Sequence, residues 1–245
     1  EYGISASAVA ASWTGYFTSL LDHMGLHLPV ALTEAPLAFT DGHLVATGHL
    51  FNLPAVAIVL ALTWLCYIGI RESSGLNALM VLVKVGLIII VVVAGYRYVN
   101  PANWHPFIPE PQGDGKYGWS GIMRGAAMVF FAYIGFEATS TAAQECKNPQ
   151  RDLPFGILVS LVICTVLYLA MAAVLTGLVP YTLLDTSEPV VTAVAAIPQL
   201  GWLRLIVEIG AMIGLSSVIL VMIIAQPRIF MIMARDGMLP RVFGK

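Results

Sequence analysis

Uninterrupted apolar runs constrain this chain more than any other feature of its sequence. Between Leu76 and Tyr96 the only charged side chain is Lys84, and Leu87 to Val93 is apolar throughout. An α-helix needs about 20 mostly apolar residues to cross the hydrocarbon core of a bilayer. Six segments have that character: 1–22, 51–70, 76–98, 119–144, 154–179 and 203–234. Lipid offers no partner to an unpaired backbone group, and period-two alternation is absent, so these segments read as helices and not as barrel strands. The first is rich in Ala, Ser and Gly, which suits close helix packing. The last is longer than a perpendicular span requires, so it tilts or runs on beyond the bilayer. The predicted fold class is an all-α polytopic membrane protein, with a single transmembrane domain over 1–245.

Composition agrees. The chain is 58% apolar and 11% charged, against about 45–50% and about 25% in soluble domains. A soluble globule and a disordered tail are excluded. A net charge of -2 leaves no basic face for a nucleic acid. Cys66 and Cys164 lie inside apolar runs and Cys146 in a polar loop, so all three read as thiols and not as a disulfide framework. The chain begins at Glu1 without a signal-peptide pattern and ends at Lys245 just after a basic, helix-ending stretch. Both ends are expected to be cut from a longer chain.

The connections give an orientation. On one side lie Arg71, Lys147, Arg151, Arg228, Arg235, Arg241 and Lys245; on the other lie Arg97, Lys116, Arg124 and Arg204. The excess of Lys and Arg marks the first side as cytosolic. Loop 145–153 and the end 235–245 are therefore expected in the cytosol, with the chain multi-pass in the cytoplasmic membrane. The other side takes the His-rich stretch 23–50, the proline-rich stretch 99–118 and the acidic stretch 180–202, where a short surface helix is expected.

Lys84 is the sharpest chemical signal. It sits about 12 Å from either end of its run, and a charge at the middle of a span costs at least about 2.5–3.5 kcal/mol. One reading is an amine whose protonation is coupled to transport; the other is a lysine permanently paired for packing. A second signal is Phe130-Phe131-Ala132-Tyr133-Ile134-Gly135-Phe136-Glu137 in the middle of the fourth segment. Gly135 permits a helix break, whose freed carbonyls hold a cation or an ammonium group. A continuous helix with a small packing residue is the alternative. Glu137 is either a partner charge or a cap. Glu208 reads as a group near the outer interface, and Ser216 and Ser217 as back-bonded hydroxyls. The histidines 23, 27, 43, 49 and 105 all fall in outer loops and predict no metal site. Neither a nucleophile elbow, a P-loop nor an HExxH motif occurs.

Two stretches carry a family resemblance. Phe131-Ala132-Tyr133-Ile134-Gly135-Phe136-Glu137, followed by Glu145-Cys146-Lys147-Asn148-Pro149-Gln150-Arg151-Asp152-Leu153-Pro154, resembles the sixth helix and following loop of amino-acid permeases. Ala234-Arg235-Asp236-Gly237-Met238-Leu239-Pro240 resembles the cytosolic end of their eighth helix. The chain is thus similar to the amino acid–polyamine–organocation superfamily, and within it to the bacterial cationic amino acid transporters. The resemblance implies part of a leucine-transporter-type fold of two inverted five-helix repeats, with the six segments as helices three to eight. It further implies that Phe131, Ala132 and Ile134 present carbonyls to the substrate ammonium and that Phe136 shields the substrate. Lys84 would stand where some members carry a lysine in place of a sodium ion, with Ser216 and Ser217 facing the same region. Met212 would line the side-chain pocket, and Glu1 would match an acidic residue on helix three.

The function implied is secondary active transport of amino acids, by proton-coupled symport and alternating access. Two alternatives stay open: an exchanger in which Lys84 is a fixed charge, and a sensor that binds amino acid without moving it. No enzyme is expected, and no cofactor apart from the coupling proton. The expected partners are an amino acid, the lipid bilayer and, as an open option, a small accessory membrane subunit; nucleic acid is not among them. Glu1 and Glu137 point to a cationic substrate, whereas the Ala/Gly/Met surroundings fit a small neutral one equally well.

Overall fold

The structure, a computed structural model, describes residues 2–35, 37–40, 43–49, 51–68, 74–113, 115–133, 148–240 and 242; for 37–40, 43–44, 74–78 and 131–132 it describes the backbone alone. Seven α-helices run through the described residues: α1 Tyr2–His23, α2 Leu53–Tyr67, α3 Ser74–Tyr96, α4 Gly118–Val129, α5 Pro149–Leu178, α6 Pro189–Ala195 and α7 Gly201–Arg235. The described strands are β1 Leu37–Thr40 and β2 His43–Ala46, paired antiparallel with Thr40 opposite His43. Asp41-Gly42, between them in sequence, is a strong hairpin signal that a search for apolar runs passes over.

The helix boundaries follow from local sequence. Asn52 caps α2: its Oδ1 accepts from the Ala55 amide at 3.0 Å and from the Thr14 hydroxyl at 2.8 Å, while its Nδ2 donates to the Thr33 carbonyl at 2.9 Å. One side chain thus starts α2 and ties it to α1. Pro149 opens α5, where a missing N–H costs nothing, and Asp152 lies in its first turn, where the helix dipole favours an acid. At the end of α7 the Met238 amide bonds the Met233 carbonyl at 2.9 Å and the Gly237 amide bonds that of Ala234 at 3.3 Å. Gly237 takes φ +78° to close this motif, a backbone angle that favours glycine.

Packing centres on α7. Along one face it lies antiparallel to α1: Tyr2 and Ala6 pack with Met222 and Ala225 at one end, and Ser19 meets Glu208 at the other. The stripe Tyr2, Ala6, Ala10, Thr14 is buried, and its small residues let the two backbones approach closely. Another face of α7 meets α3. There a Cβ added at Gly210 would lie 2.7 Å from Leu87 Cδ2, and one at Gly214 would lie 3.6 Å from Lys84 Cγ. The densest core gathers at the His23 end, where Val91, Leu178, Val194, Leu203 and Val207 come together from α3, α5, α6 and α7. The expected short helix in 180–202 exists as α6, but it is not a surface element: Ala193 and Val194 are fully buried. Its apolar residues are covered by residues of α3, α5 and α7, which sequence spacing does not reveal.

Among the described residues, three helical stretches are long and apolar enough to cross a membrane: Leu79–Tyr96, Pro149–Leu178 and Pro198–Arg235; the apolar α2 is shorter, at Leu53–Tyr67. Large apolar side chains such as Leu60, Leu82, Val93, Val162 and Leu169 point outward. A water-facing surface rarely carries so much apolar area, whereas lipid or further helices cover it without cost.

Candidate functional site

Lys84 lies in the middle of α3, half-buried against α7. Gly210 and Gly214, one turn apart on α7, form the surface beneath it. Leu87 fills the hollow over Gly210 and the aliphatic stem of Lys84 lies over Gly214. One turn further along α7 is Ser217, 5% exposed, whose hydroxyl donates to the Gly214 carbonyl at 3.0 Å. Ser216 donates to the Met212 carbonyl at 2.7 Å. Both serines are back-bonded, as their sequence context predicts. A hydroxyl that donates its proton this way keeps lone pairs free to accept from a cation. Met212 packs partly buried against the core at the His23 end. Among the described residues, no carboxylate lies within ion-pair distance of Lys84.

The helix-break motif lies only partly within the described residues. The α-helix ends at Val129 and the chain tightens into a 3-10 turn over Phe130–Tyr133, which includes Phe131 and Ala132. A 3-10 turn is common at a helix end and, inside a helix, marks a hinge; Gly135, where the break is expected, lies outside the described residues. Tyr133 fastens this turn to α5. Its hydroxyl lies 3.0 Å from Thr165 Oγ1 and its ring meets that of Tyr168 edge-on at 5.5 Å. Ile134, Phe136, Glu137 and Glu1 lie outside the described residues. The structure therefore places Lys84 on α3 against Gly214 of α7, with Ser217 one turn further on the same side of α7; Met212 and Ser216, two residues off that stripe, lie on another side of α7.

Glu208, near the His23 end of α7, has a side chain fully buried within the protein. Oε1 accepts from Ser19 Oγ at 2.8 Å and from Arg204 Nε at 2.9 Å, and His23 Nδ1 lies 3.4 Å from Oε2. Arg204, one helical turn before Glu208, was the available signal, since this spacing puts both on one face. The contribution of α1 depends on packing and has no local signature.

A predominantly helical membrane protein, with a lysine midway along α3 seated on a glycine seam of α7, is what this geometry defines. Residues 3–245 match the amino acid permease family, and the chain belongs to that family, one of permeases and not of enzymes. Over its full length it is 43% identical to the branched-chain amino acid permease BcaP of Bacillus subtilis, covering 50% of that protein. It is also 43% identical to the methylthioribose transporter of the same organism, again covering 50% of it. With cationic amino acid transporter 9, chloroplastic, of Arabidopsis thaliana it shares 35% identity, over 41% of that chain. The chain thus spans about half the length of the curated relatives it matches, or less.

Proposed function

We propose that this chain is part of a secondary transporter that carries an amino acid across the cytoplasmic membrane together with a proton, by alternating access. The observation that carries this reading is the seat of Lys84. Its stem lies on Gly214, and no described carboxylate is within ion-pair distance. A cation at that depth is costly, so its protonation follows whatever surroundings each conformation offers. A proton bound in one conformation and released in another shifts the equilibrium between them, and differential stabilisation of this kind is what coupling requires. The 3-10 turn at Phe130–Tyr133 supports a hinge beside the substrate, with carbonyls of Phe131, Ala132 and Ile134 receiving the ammonium group and Phe136 covering it. Ser217 extends the seam on α7, Met212 and Ser216 are the further α7 candidates, and Glu137 and Glu1 are the candidate acidic partners. The His23 end faces outward, and the stretch 145–153, which includes the start of α5, and the end of α7 face the cytosol.

The relatives named above are transporters of branched-chain amino acids, cationic amino acids and methylthioribose, so substrate class is part of the test. The full-length protein is reconstituted in proteoliposomes and offered labelled leucine, arginine and methylthioribose, with and without an inward proton gradient. Gradient-driven accumulation of leucine or arginine supports the proposal. Exchange that ignores the gradient moves Lys84 to a fixed-charge role, binding without flux favours a sensor, and accumulation of methylthioribose alone rejects an amino acid substrate.

A further inference from the structure

The cluster around Glu208 lies on the face of α7 that meets α1, away from the seam that holds Lys84. Three of its features argue together. Glu208 is wholly buried, and two of its partners, Ser19 and His23, come from the last turns of α1. A buried carboxylate persists only when it is paired and hydrogen-bonded, so the position of α1 and the state of this acid depend on each other. The members also differ in access: the His23 side chain is 44% exposed while Glu208 is 0% exposed. The cluster therefore has one arm at the surface of the described chain and its anion in the interior.

We infer that Glu208, Arg204, Ser19 and His23 form a latch between α1 and α7 whose strength is set through His23 by the pH at the His23 end. Glu208 is the positioning residue and His23 the responsive one. Histidine is the side chain that ordinarily changes charge between about pH 5 and pH 8. As a neutral ring, His23 presents Nδ1 either as donor or as acceptor, and only the donor form suits Glu208 Oε2. As an imidazolium it donates from both nitrogens and adds a positive charge beside the carboxylate. The charge also lies in the last turn of α1, where a cation is favoured by the helix dipole. Acid on this side therefore tightens the latch, and alkali relaxes it toward the Ser19 and Arg204 contacts alone.

The other charged groups nearby leave this assignment to His23. On α7, Arg204 is already committed to Glu208 Oε1 and reaches Ser19 with Nη2 at 3.5 Å. On α1, Asp22 is held by His27 Nδ1 at 2.8 Å. From the segment before α6, Glu188 faces α1 at Gly15, two turns from His23. The latch rests on the proposed orientation in one respect only, namely which compartment's pH it senses.

The test needs no transport. Hydrogen exchange of the last turns of α1 is followed in the full-length purified protein at about pH 5.5 and about pH 8, corrected for intrinsic exchange rates. Wild type is expected to be protected severalfold more at the acidic pH. His23→Gln abolishes that difference, while His27→Gln, which changes the neighbouring exposed histidine, keeps it. Thermal unfolding follows the same pattern, with a pH-dependent rise of about 2–4 °C in wild type and His27→Gln only. An equal pH response in wild type and His23→Gln overturns the latch, as does its loss in His27→Gln alone. Because neither measurement reads flux, a failure of the transport proposal is seen separately.

Discussion

Lys84 of α3 rests on Gly214 of α7, with its Cγ 3.6 Å from where a side chain at 214 would begin. That is ordinary van der Waals distance, so the glycine is room held open for the lysine stem. Gly214→Ala is expected to fold and transport near normally. Gly214→Leu would push the stem aside, and its expected effect is loss of gradient-driven accumulation with the thermal midpoint little changed. Parallel uptake and unfolding measurements on the full-length protein check both.

Lys84→Ala removes the only charge on α3 between Ser74 and Tyr96. Under the proposed mechanism it abolishes accumulation driven by a proton gradient but leaves exchange of substrate against substrate. Uptake with the pH stepped on one side of the vesicle at a time gives the sign: wild-type accumulation grows as the outer side is acidified, and the variant's does not. Proton-driven accumulation that survives in the variant would falsify the coupling role.

At Gly210 the space is tighter. An added Cβ would come within 2.7 Å of Leu87 Cδ2, so Gly210→Ala forces the leucine to move, and overpacking of this kind typically costs about 1–3 kcal/mol. Leu87→Ala in the same chain should recover much of that loss. A double-mutant cycle on thermal or denaturant unfolding reads the coupling directly.

The pair Arg204–Glu208 should respond asymmetrically. Arg204→Ala strands a fully buried carboxylate and is expected to destabilise by about 3–5 kcal/mol. Replacing both by apolar residues of similar volume, as in Arg204→Met with Glu208→Leu, should cost less than the single change. Unfolding of the three variants decides it, and equal losses in single and double variants would deny the ion pair its role.

Asn52 is the small lever on the other side of α1. Asn52→Ala removes the cap of α2 and the acceptor for Thr14 together. A lost cap is typically worth about 1 kcal/mol, and the buried Thr14 hydroxyl still bonds the Ala10 carbonyl at 3.2 Å. The expected result is a modest fall in stability with transport intact.

Helix positions were legible because crossing a bilayer is a local demand. A segment must be apolar over its own length and must satisfy its own backbone, so α3, α5 and α7 are written in consecutive residues. The end of α7 was legible in the Ala234–Pro240 stretch, whereas α5 starts at Pro149, inside the stretch 145–153 expected as a loop and five residues before the expected span. The lysine within α3 could be picked out as a local exception to that demand. The hairpin β1–β2 was missed because it is not a long apolar run, and α6 was misjudged because its burial comes from other helices.

Sequence alone therefore determined the class of protein, the helices and the residues that break their apolar pattern. Tertiary structure decided what those residues meet: Gly214 beneath Lys84 on one face of α7, and Ser19 and His23 against Glu208 on the other. These partners lie far apart in the chain. Packing between helices rests on small residues that leave room and on side chains that fill it, and such complementarity exists only once two surfaces have come together.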